Sequence, residues 1–410
     1  MSSVIVTNGT SRVGYGIMRS LAKKGIKVYC ADYVPRAMSF ASRFSRGHFV
    51  YPSPFRDQAA FIKCLVENSG RLKADVVIPA LEETFVLAKF MHLLPKEMKL
   101  VLPDYEKVLL AHTKDRWTGI AAELGIPVPP SCSIDEVRRG SGIAGTLRFP
   151  VLIKPSQGGG AWGIAQVDSR DDLLRMVEKE TYLDRPWDRF FIQEKIEDHD
   201  TVGVAMLAKE GGIRAKIAYR HIRDLPPKGG LATFRISLHH EQAEYYFQRL
   251  LETLEWHGVC QGDFLVDRKS GVPYLIDINP RFWGSLTQAI ASGVDFPYLV
   301  YRIAIDGDVA PVTDFRDGVV TRWVGGDLMT LLPSLRLAKK KLSFLHRFFF
   351  PGAGPVVYDD WSAADPLPFF VWGLDALAWK ARQRLLTQTP PDIPFLAEGL
   401  KVEDVAPTVG

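Results

Sequence analysis

Two carboxylates and an amide recur close together between residues 258 and 281. Asp277 and Asn279 are two residues apart, so a β-strand would place both side chains on one face. The segments GDFLVD and PYLIDINPR flank the turn-like RKSG and predict an antiparallel hairpin, with Asp263 opposite on the partner strand. Such oxygen ligands suit Mg²⁺, and Arg281 shares the face if the strand continues. Apolar residues on the other face weaken the alternative, a solvated strand that ends in an Asn-Pro turn.

A glycine-rich loop follows a lysine in the middle of the chain. Lys154 ends the apolar run FPVLIK, and Ser156-Gln157-Gly158-Gly159-Gly160 comes directly after it. Successive glycines let backbone N–H groups close around phosphate oxygens, and the lysine adds a positive charge. The loop lacks the Gly-Lys-Ser/Thr ending of a Walker A loop. A flexible hairpin loop explains the segment about as well.

A basic, turn-rich stretch runs from residue 220 to residue 235. Its five basic side chains predict a loop over an anionic ligand, and they are Arg220, His221, Arg223, Lys228 and Arg235. A solvated basic loop explains any one of them at least as well. Glu82 and Glu83 follow the apolar run VVIPAL and are candidates for binding an amino group.

The N-terminal segment contains a turn with three glycines. Gly9, Gly14 and Gly16 follow the apolar run SVIV and open a helical pattern, and Asp32 ends the next predicted strand. This is most of the context of a dinucleotide-binding turn, but the G-x-G-x-x-G spacing is absent. A tight strand–helix connection is the favoured interpretation, and an NAD(P)-dependent oxidoreductase is a minor alternative.

Alternating strand and helix patterns predict a parallel α/β domain over residues 1–110, including a strand at KLVLP. Residues 111–195 contain the glycine loop, and residues 196–325 contain longer strands typical of an α+β domain. Residues 326–410 predict a basic and aromatic helical extension. Within it, 336–350 could contact an anionic membrane surface. A helix that packs its aromatic side chains on the preceding domain is favoured.

Composition limits the class of protein. The chain has 410 residues, 47% hydrophobic and 24% charged, with a net charge of +4, which suits a globular protein of two or three domains and gives no indication of nucleic-acid binding. Four separated cysteines, no apolar run of membrane-spanning length and no signal-peptide pattern predict a cytoplasmic protein.

Taken in this order, the features resemble the ATP-grasp superfamily, in particular the carbamoyl-phosphate synthase large subunit, biotin carboxylase and related carboxylate–amine ligases. The resemblance covers roughly residues 1–310. It implies a mixed α/β and α+β multidomain protein, in which a Rossmann-like pre-ATP-grasp domain precedes the ATP-grasp fold. The latter has a small lid and a larger domain that carries the metal, with ATP between them.

The resemblance also implies roles for particular residues. Lys114 and Lys154 would contact phosphates, Ser156 and the glycines 158–160 would close over them, and Arg281 would adjoin the reacting phosphate. Adenine would lie at the hinge and the ribose at an acid, which implies Gln193, Glu194, Lys195, Ile196 and Asp200. Asp263, Asp277 and Asn279 would hold Mg²⁺, or Mn²⁺ in its place. The family usually has Glu where Asp277 stands, which puts binding of two ions in doubt.

The implied activity is an ADP-forming ligase that activates a carboxylate as an acyl phosphate and joins it to an amine. Arg281 and Lys154 would be catalytic. Glu82, Arg220, Arg223, Lys228 and Arg235 are the candidates for contacting the substrate, which their charges predict to be acidic or phosphorylated. A homodimer is possible by analogy. A non-catalytic ATP-binding regulatory module remains the alternative.

Overall fold

The computed structural model describes residues 3–157, 163–226, 230–338, 340–349 and 355–374. Predicted glycines 158–160 and Lys228 therefore lie outside the described residues, as does the tail after residue 374.

The first domain is built on a four-stranded parallel sheet in the order β3-β2-β1-β4. Its elements are β1 (Ser3–Val6), α1 (Arg12–Lys23), β2 (Lys27–Asp32), β3 (Gly47–Val50), α2 (Gln58–Leu72), β4 (Val76–Ile78), α3 (Glu83–Lys89) and α4 (Tyr105–His112). Alternate residues of β1 enter different apolar cores, Val4 and Val6 on one side and Ile5 on the other. Both sheet faces are therefore covered, as expected of a parallel sheet.

The expected strand at KLVLP is not formed. Lys99 makes one isolated parallel bridge to Val76, and the residues after it belong to no strand. Pro103 has no N–H to donate, which limits how far a strand could continue there.

The second unit is a small antiparallel sheet in the order β5-β10-β6-β7, with a core of its own. Its elements are α5 (Lys114–Glu123), β5 (Ser131–Ser133), α6 (Ile134–Arg139), β6 (Val151–Pro155), β7 (Ala165–Val167), α7 (Arg170–Val177), β8 (Thr181–Tyr182), β9 (Arg185–Pro186) and β10 (Phe190–Glu194). The glycine loop lies in sequence between β6 and β7, and these two strands pair antiparallel.

The largest sheet has seven strands in the order β15-β14-β11-β12-β13-β16-β17. Its elements are β11 (His199–Lys209), β12 (Gly212–Leu225), β13 (Leu231–Ser237), α8 (Glu241–Thr253), β14 (Gly258–Asp267), β15 (Pro273–Asn279), α9 (Leu286–Ala291), α10 (Phe296–Asp306), β16 (Val320–Arg322), α11 (Val324–Leu337), α12 (Lys341–Phe349) and β17 (Val356–Tyr358). The predicted hairpin is present as β14 and β15.

The described part of the C-terminal segment contributes one strand, β17, to this sheet. The predicted boundary at residue 326 falls inside α11, and β17 pairs in parallel with β16. Phe348 of α12 is buried at 1% exposure, with the guanidinium groups of Arg223 and Arg322 over its ring. The segment is thus an integral part of the large domain, and at Phe348 it packs as the favoured interpretation of 336–350 predicted.

None of the described helices is both long enough and apolar enough to cross a membrane.

Candidate active site

Asp263 and Asp277 face each other across the hairpin of β14 and β15. Their Cα atoms are direct register partners, and Gln261 is paired with Asn279 in the same way. Phe247 of α8 packs so closely on Gly262 that a Cβ there would lie 2.7 Å from the ring. Because successive strand residues point to opposite faces, Asp263 lies on the face away from α8. We call this group, with Asn279, the metal edge.

Hydrogen bonds connect the polar side chains of the metal edge. The amide of Asn279 donates to Gln261 Oε1 at 2.8 Å, and Gln261 Nε2 donates to Asp263 Oδ1 at 2.6 Å. Burial raises the pKa of Asp263 to about 6. The charge of His221 opposes this rise, and that of Asp277 adds to it. Two carboxylates and an amide provide hard oxygen donors that fit Mg²⁺, which commonly takes one or two protein carboxylates plus substrate phosphates.

No cluster of three or more His, Cys, Asp or Glu side chains that could hold a metal occurs among the described residues. The metal edge has only two such side chains, Asp263 and Asp277, because its third oxygen donor is the amide of Asn279.

Lys114 places a positive charge at the metal edge. It is the first residue of α5, and its Nζ lies 3.0 Å from Asp277 Oδ1 with only 12% of the side chain exposed. The backbone N–H of Lys114 donates to the carbonyl of Ser156, and Gln157 donates to Thr113 Oγ1. Ser156 and Gln157, which precede the loop glycines, are therefore held against the N-terminus of α5, next to Lys114.

Lys154 reaches the site from the small sheet. It is 7% exposed, and its Nζ donates to Gln193 Oε1 at 2.6 Å. Burial lowers the pKa of Lys154 to about 8, the charge of Lys114 lowers it further, and that of Asp277 opposes the shift. A buried ammonium bound to a neutral amide can still accept a negatively charged neighbour.

Arg281 follows β15 and connects two domains. Its Nε lies 3.1 Å from Glu82 Oε1, at the start of α3 in the first domain, and it donates a further hydrogen bond to the carbonyl of Phe282. The predicted amino-binding Glu82 is thus paired with the predicted phosphate-binding arginine.

The predicted hinge residues are the last two of β10, Gln193 and Glu194, and the two that follow it, Lys195 and Ile196. The backbone N–H groups of Glu194 and Lys195 donate to Pro130 and Pro150, and the Glu194 carboxylate accepts from the Arg148 N–H at 2.7 Å. Lys195 donates to Gln166, and the carbonyl of Ile196 is 2.7 Å from His199 Nδ1. Gln193 bonds Lys154 and Ser131. The Gln193 and Glu194 side chains thus already hold the small sheet together, and their adenine contacts remain a prediction.

The structure corrects the role predicted for Asp200. Gly203 is the register partner of Asp263, and Asp200 is three residues away on β11, so its side chain lies on the opposite sheet face. There it accepts a hydrogen bond from Arg268 at 2.7 Å and lies 3.9 Å from Arg220. By the same register, Thr201 is the neighbouring residue on the metal-edge face. Neither Asp200 nor Arg220 therefore faces the site.

Arg223 and Arg235 are also not available to an anionic substrate. Arg223 forms two hydrogen bonds to Asp327 of α11, and fully buried Arg235 bonds Asp359. Both partners lie in the C-terminal segment. The expectation of an acidic or phosphorylated substrate depended on these arginines, and the described residues do not support it.

Gln261 is a site residue that the sequence analysis missed. It precedes Asp263 by two residues, so strand periodicity alone places it on the same face. Glutamine is not a typical metal ligand, and its bridging role becomes visible only from the register with Asn279.

Two family models match the region that contains these residues. The model "Carbamoyl-phosphate synthase L chain, ATP binding domain" matches residues 113–212, and "ATP-grasp in the biosynthetic pathway with Ter operon" matches residues 194–326. The chain contains ATP-grasp domains. The resemblance drawn from its motifs is therefore confirmed, and the site described above lies within the matched residues apart from Glu82.

Individual relatives support the same fold. The carbamoyl phosphate synthase large chain of Thermotoga neapolitana is 25% identical over 300 residues, which is 68% of this chain and 26% of that protein. The biotin carboxylase domain of Hydrogenobacter thermophilus 2-oxoglutarate carboxylase, a dimer in complex with MgADP and bicarbonate, has a TM-score of 0.60 at 18% identity and covers 77% and 73% of the two chains. An L-amino acid ligase from Bacillus licheniformis has a TM-score of 0.57 at 16% identity and covers 78% of each chain.

The curated relatives are much longer than the matched part of this chain. It spans between 8% and 32% of their length. The fold is therefore established by these similarities, whereas the activity and the substrates are matters for proposal.

Proposed function

We propose that this chain is an ATP-dependent ligase that activates a carboxylate as an acyl phosphate and joins it to an amine, releasing ADP and phosphate. The convergence of the metal edge with Lys114, Lys154 and Arg281 carries the proposal. Three cations from different elements lie near two carboxylates and an amide, within an ATP-grasp fold. Such an arrangement is suited to a polyphosphate and its metal ion.

The cations would act mainly on the transferred phosphoryl group. Lys114 and Lys154 would offset the charge of the phosphates, and Arg281 would stabilise charge on the oxygens that change partner as the carboxylate attacks. Asp263, Asp277 and Asn279 would hold Mg²⁺, which when bound neutralises phosphate charge; Mn²⁺ can take its place. We assign the catalytic role to Arg281 and Lys154.

Nucleotide contacts complete the proposal. Ser156 and the loop glycines 158–160 would close over the phosphates, and the hinge residues 193–196 would border the adenine. Residues 1–110 would form the pre-ATP-grasp domain, 111–195 the lid and 196–325 the metal-bearing domain. A homodimer is a further possibility, since the similar biotin carboxylase domain is described as a dimer.

Release of ADP from Mg-ATP across a panel of carboxylates and amines tests the proposal. We expect release that depends on both substrates and falls about 10²–10³-fold in Lys154→Met, because the loss of one preorganised charge contact has an effect of this size. A matched control is Lys216→Met, which removes a lysine of β12 whose Nζ pairs with Glu244 of α8 at 2.7 Å, away from the metal edge. Equal activity in Lys154→Met and wild type would refute the assigned role.

One observation favours a second candidate, a regulatory module that binds ATP without turnover. Asp277 is one methylene shorter than glutamate, and its carboxylate is already paired with Lys114 at 3.0 Å. Nucleotide binding that is saturable and requires Mg²⁺, with no ADP release on any panel member, would favour this candidate over the ligase.

A further inference from the structure

His221 and Asp224 form a hydrogen-bonded pair on β12 that the proposed ATP site does not use. His221 Nδ1 lies 2.8 Å from Asp224 Oδ1, and the two side chains are 9% and 15% exposed. Among the described residues, no hydrogen-bond partner is seen for the other ring nitrogen, Nε2. A carboxylate on one ring nitrogen fixes the tautomer and leaves the other nitrogen as a proton acceptor.

The backbone is irregular in a way that creates this pair. In a regular strand, residues three apart point to opposite faces, so His221 and Asp224 could not meet. The pairing of β12 with β13 shifts register between His221 and Arg223 and again between Arg223 and Asp224. Bulges of this kind redirect side chains and are frequent next to active sites. Here they bring the carboxylate to the imidazole.

The imidazole lies on the same face as the metal edge. Gly203 is the register partner of both Asp263 and Tyr219, and a Cβ on Gly203 would lie 2.4 Å from the Tyr219 ring. Tyr219 therefore lies over the glycine and toward Asp263, and the His221 ring stacks beside it at 5.9 Å.

The same face also borders the first domain. Tyr219 interacts with Ser285, four residues after Arg281, and with the charge of Arg12 at the start of α1. His221 thus lies on the metal-edge face of the sheet, beside a tyrosine that interacts with the first domain and with the segment after β15.

The charges around His221 are largely balanced. Asp224 is its partner on β12, Tyr219 is its neighbour on the same strand, and Asp263 faces it from β14. Arg235, its register partner on β13, is neutralised by Asp359. Among the described residues no unpaired cation is seen in contact with the ring, so no neighbouring positive charge repels an approaching ammonium group.

We propose that His221, oriented by Asp224, is the base that deprotonates the attacking ammonium group. This inference rests on the proposed ligase function. The ammonium gives one proton to His221 Nε2, and the free amine nitrogen attacks the acyl carbon. The C–N bond forms, the bond from carbon to the phosphate oxygen breaks, and phosphate leaves with its electron pair and takes the second amine proton. The carboxylates of the site are less suited to act as this base, because Asp263 and Asp277 belong to the metal edge and Glu82 pairs with Arg281.

The test separates activation of the carboxylate from attack by the amine. Wild type, His221→Asn, Asp224→Asn and His239→Asn are each supplied with Mg-ATP and a panel of carboxylates. Hydroxylamine, which is largely unprotonated at neutral pH, traps an acyl phosphate as a hydroxamate without needing a base. Amide formation with a panel of amines reports the full reaction. His239 is the control because it is another imidazole of the large domain close to carboxylates, those of Glu244 and Asp317, and it is more exposed than His221.

We expect unchanged hydroxamate formation in all four proteins. Amide formation should fall about 10²–10⁴-fold in His221→Asn, the range for loss of a general base, and at least about tenfold in Asp224→Asn. The pH profile of the wild-type amide rate should differ from that of His221→Asn, because only wild type has this base. Asp224 is a positioning residue, so its variant should lower the rate of amide formation without changing the KM for ATP.

Two results would overturn the inference while the ligase proposal stands: amide formation in His221→Asn at the wild-type rate, or an equal loss of hydroxamate and amide formation. Wild type that forms no hydroxamate with any carboxylate would instead overturn the ligase proposal, and the inference with it.

Discussion

Two groups of charged side chains lie toward opposite ends of the large sheet, and they differ in how their charges are balanced. On the side of β12, β13 and β16, Arg223 and Arg322 bond Asp327, and Arg235 bonds Asp359. These carboxylates are 0% and 2% exposed and each is satisfied by a guanidinium. We call this group the far edge.

The metal edge and its lysines are not balanced in this way. Asp263 is bonded by the neutral amide of Gln261, and burial raises its pKa to about 6. Lys154 bonds the neutral amide of Gln193, and burial lowers its pKa to about 8. Buried groups with shifted pKa values are frequent at sites that bind a charged ligand. Buried charges that are paired with each other instead have a structural role. The comparison predicts opposite outcomes for substitutions at the two edges.

The largest effect is expected at the far edge. Arg235→Met should lower the free energy of unfolding by about 3–5 kcal/mol, because Asp359 would remain buried with its charge poorly compensated. Arg12 stays near this carboxylate at 3.4 Å and limits the loss. Urea denaturation measures the change. The matched control is Arg220→Met on the neighbouring strand, where an arginine with 45% side-chain exposure lies 3.9 Å from Asp200 and should contribute less than about 1 kcal/mol.

Lys154→Met at the site should show the reverse pattern. The change removes ADP release, as argued above, yet it should not lower the free energy of unfolding, since a buried ammonium is costly to the fold. A comparable loss of stability in Lys154→Met and Arg235→Met would remove the distinction between the two edges.

The sequence could not have shown this distinction. Arg235 and Arg281 look alike as basic residues near predicted strand ends. What separates them is the position of Asp327, Asp359 and Glu82, which are between 104 and 199 residues distant in sequence from the arginines they pair with. Long-range pairing of this kind leaves no local pattern, so the pairing of Arg223 and Arg235 with carboxylates of the C-terminal segment could not be predicted from the sequence.

Local patterns did predict the hairpin of β14 and β15 and the parallel sheet of the first domain. Alternation of side chains placed Asp277 and Asn279 on one face, and the register confirms that Asp263 lies opposite. Register also explains why Asp200 does not lie on the metal-edge face. The face of a strand residue depends on register, and a loosely matching sequence segment does not define the register.

Glu83 sharpens the comparison because it belongs to neither edge. It is fully buried in the first domain, where Oε1 accepts hydrogen bonds from Asn8 and Tyr51, and burial raises its pKa to about 7. Between its unfolded value near 4.5 and about 7, only the unfolded chain has released this proton. The free energy of unfolding therefore falls as pH rises through this window, by about 3 kcal/mol from this group.

Glu83→Gln should remove this part of the pH dependence and keep the activity. Denaturation at a series of pH values between 4 and 8 measures the difference between variant and wild type, with the exposed Glu106→Gln as the control expected to follow wild type. Parallel curves for Glu83→Gln and wild type would show that Glu83 carries no shifted proton. A loss of ADP release with stability retained would instead place Glu83 in the site, together with Asp263.

The smallest effect is expected at the support of the metal edge. Gln261→Leu removes the amide that joins Asn279 to Asp263 but keeps an apolar side chain of similar size at a position that is 3% exposed. The Mg²⁺ concentration that gives half-maximal ADP release should rise about 10–100-fold, because partners that orient metal ligands contribute to affinity at this level. Gln248→Leu removes a surface amide that bonds Glu252 and should leave the Mg²⁺ requirement unchanged. If Gln261→Leu also left the Mg²⁺ requirement unchanged, the hydrogen bonds through Gln261 would not support metal binding. The two aspartates would then account for the metal edge without Asn279.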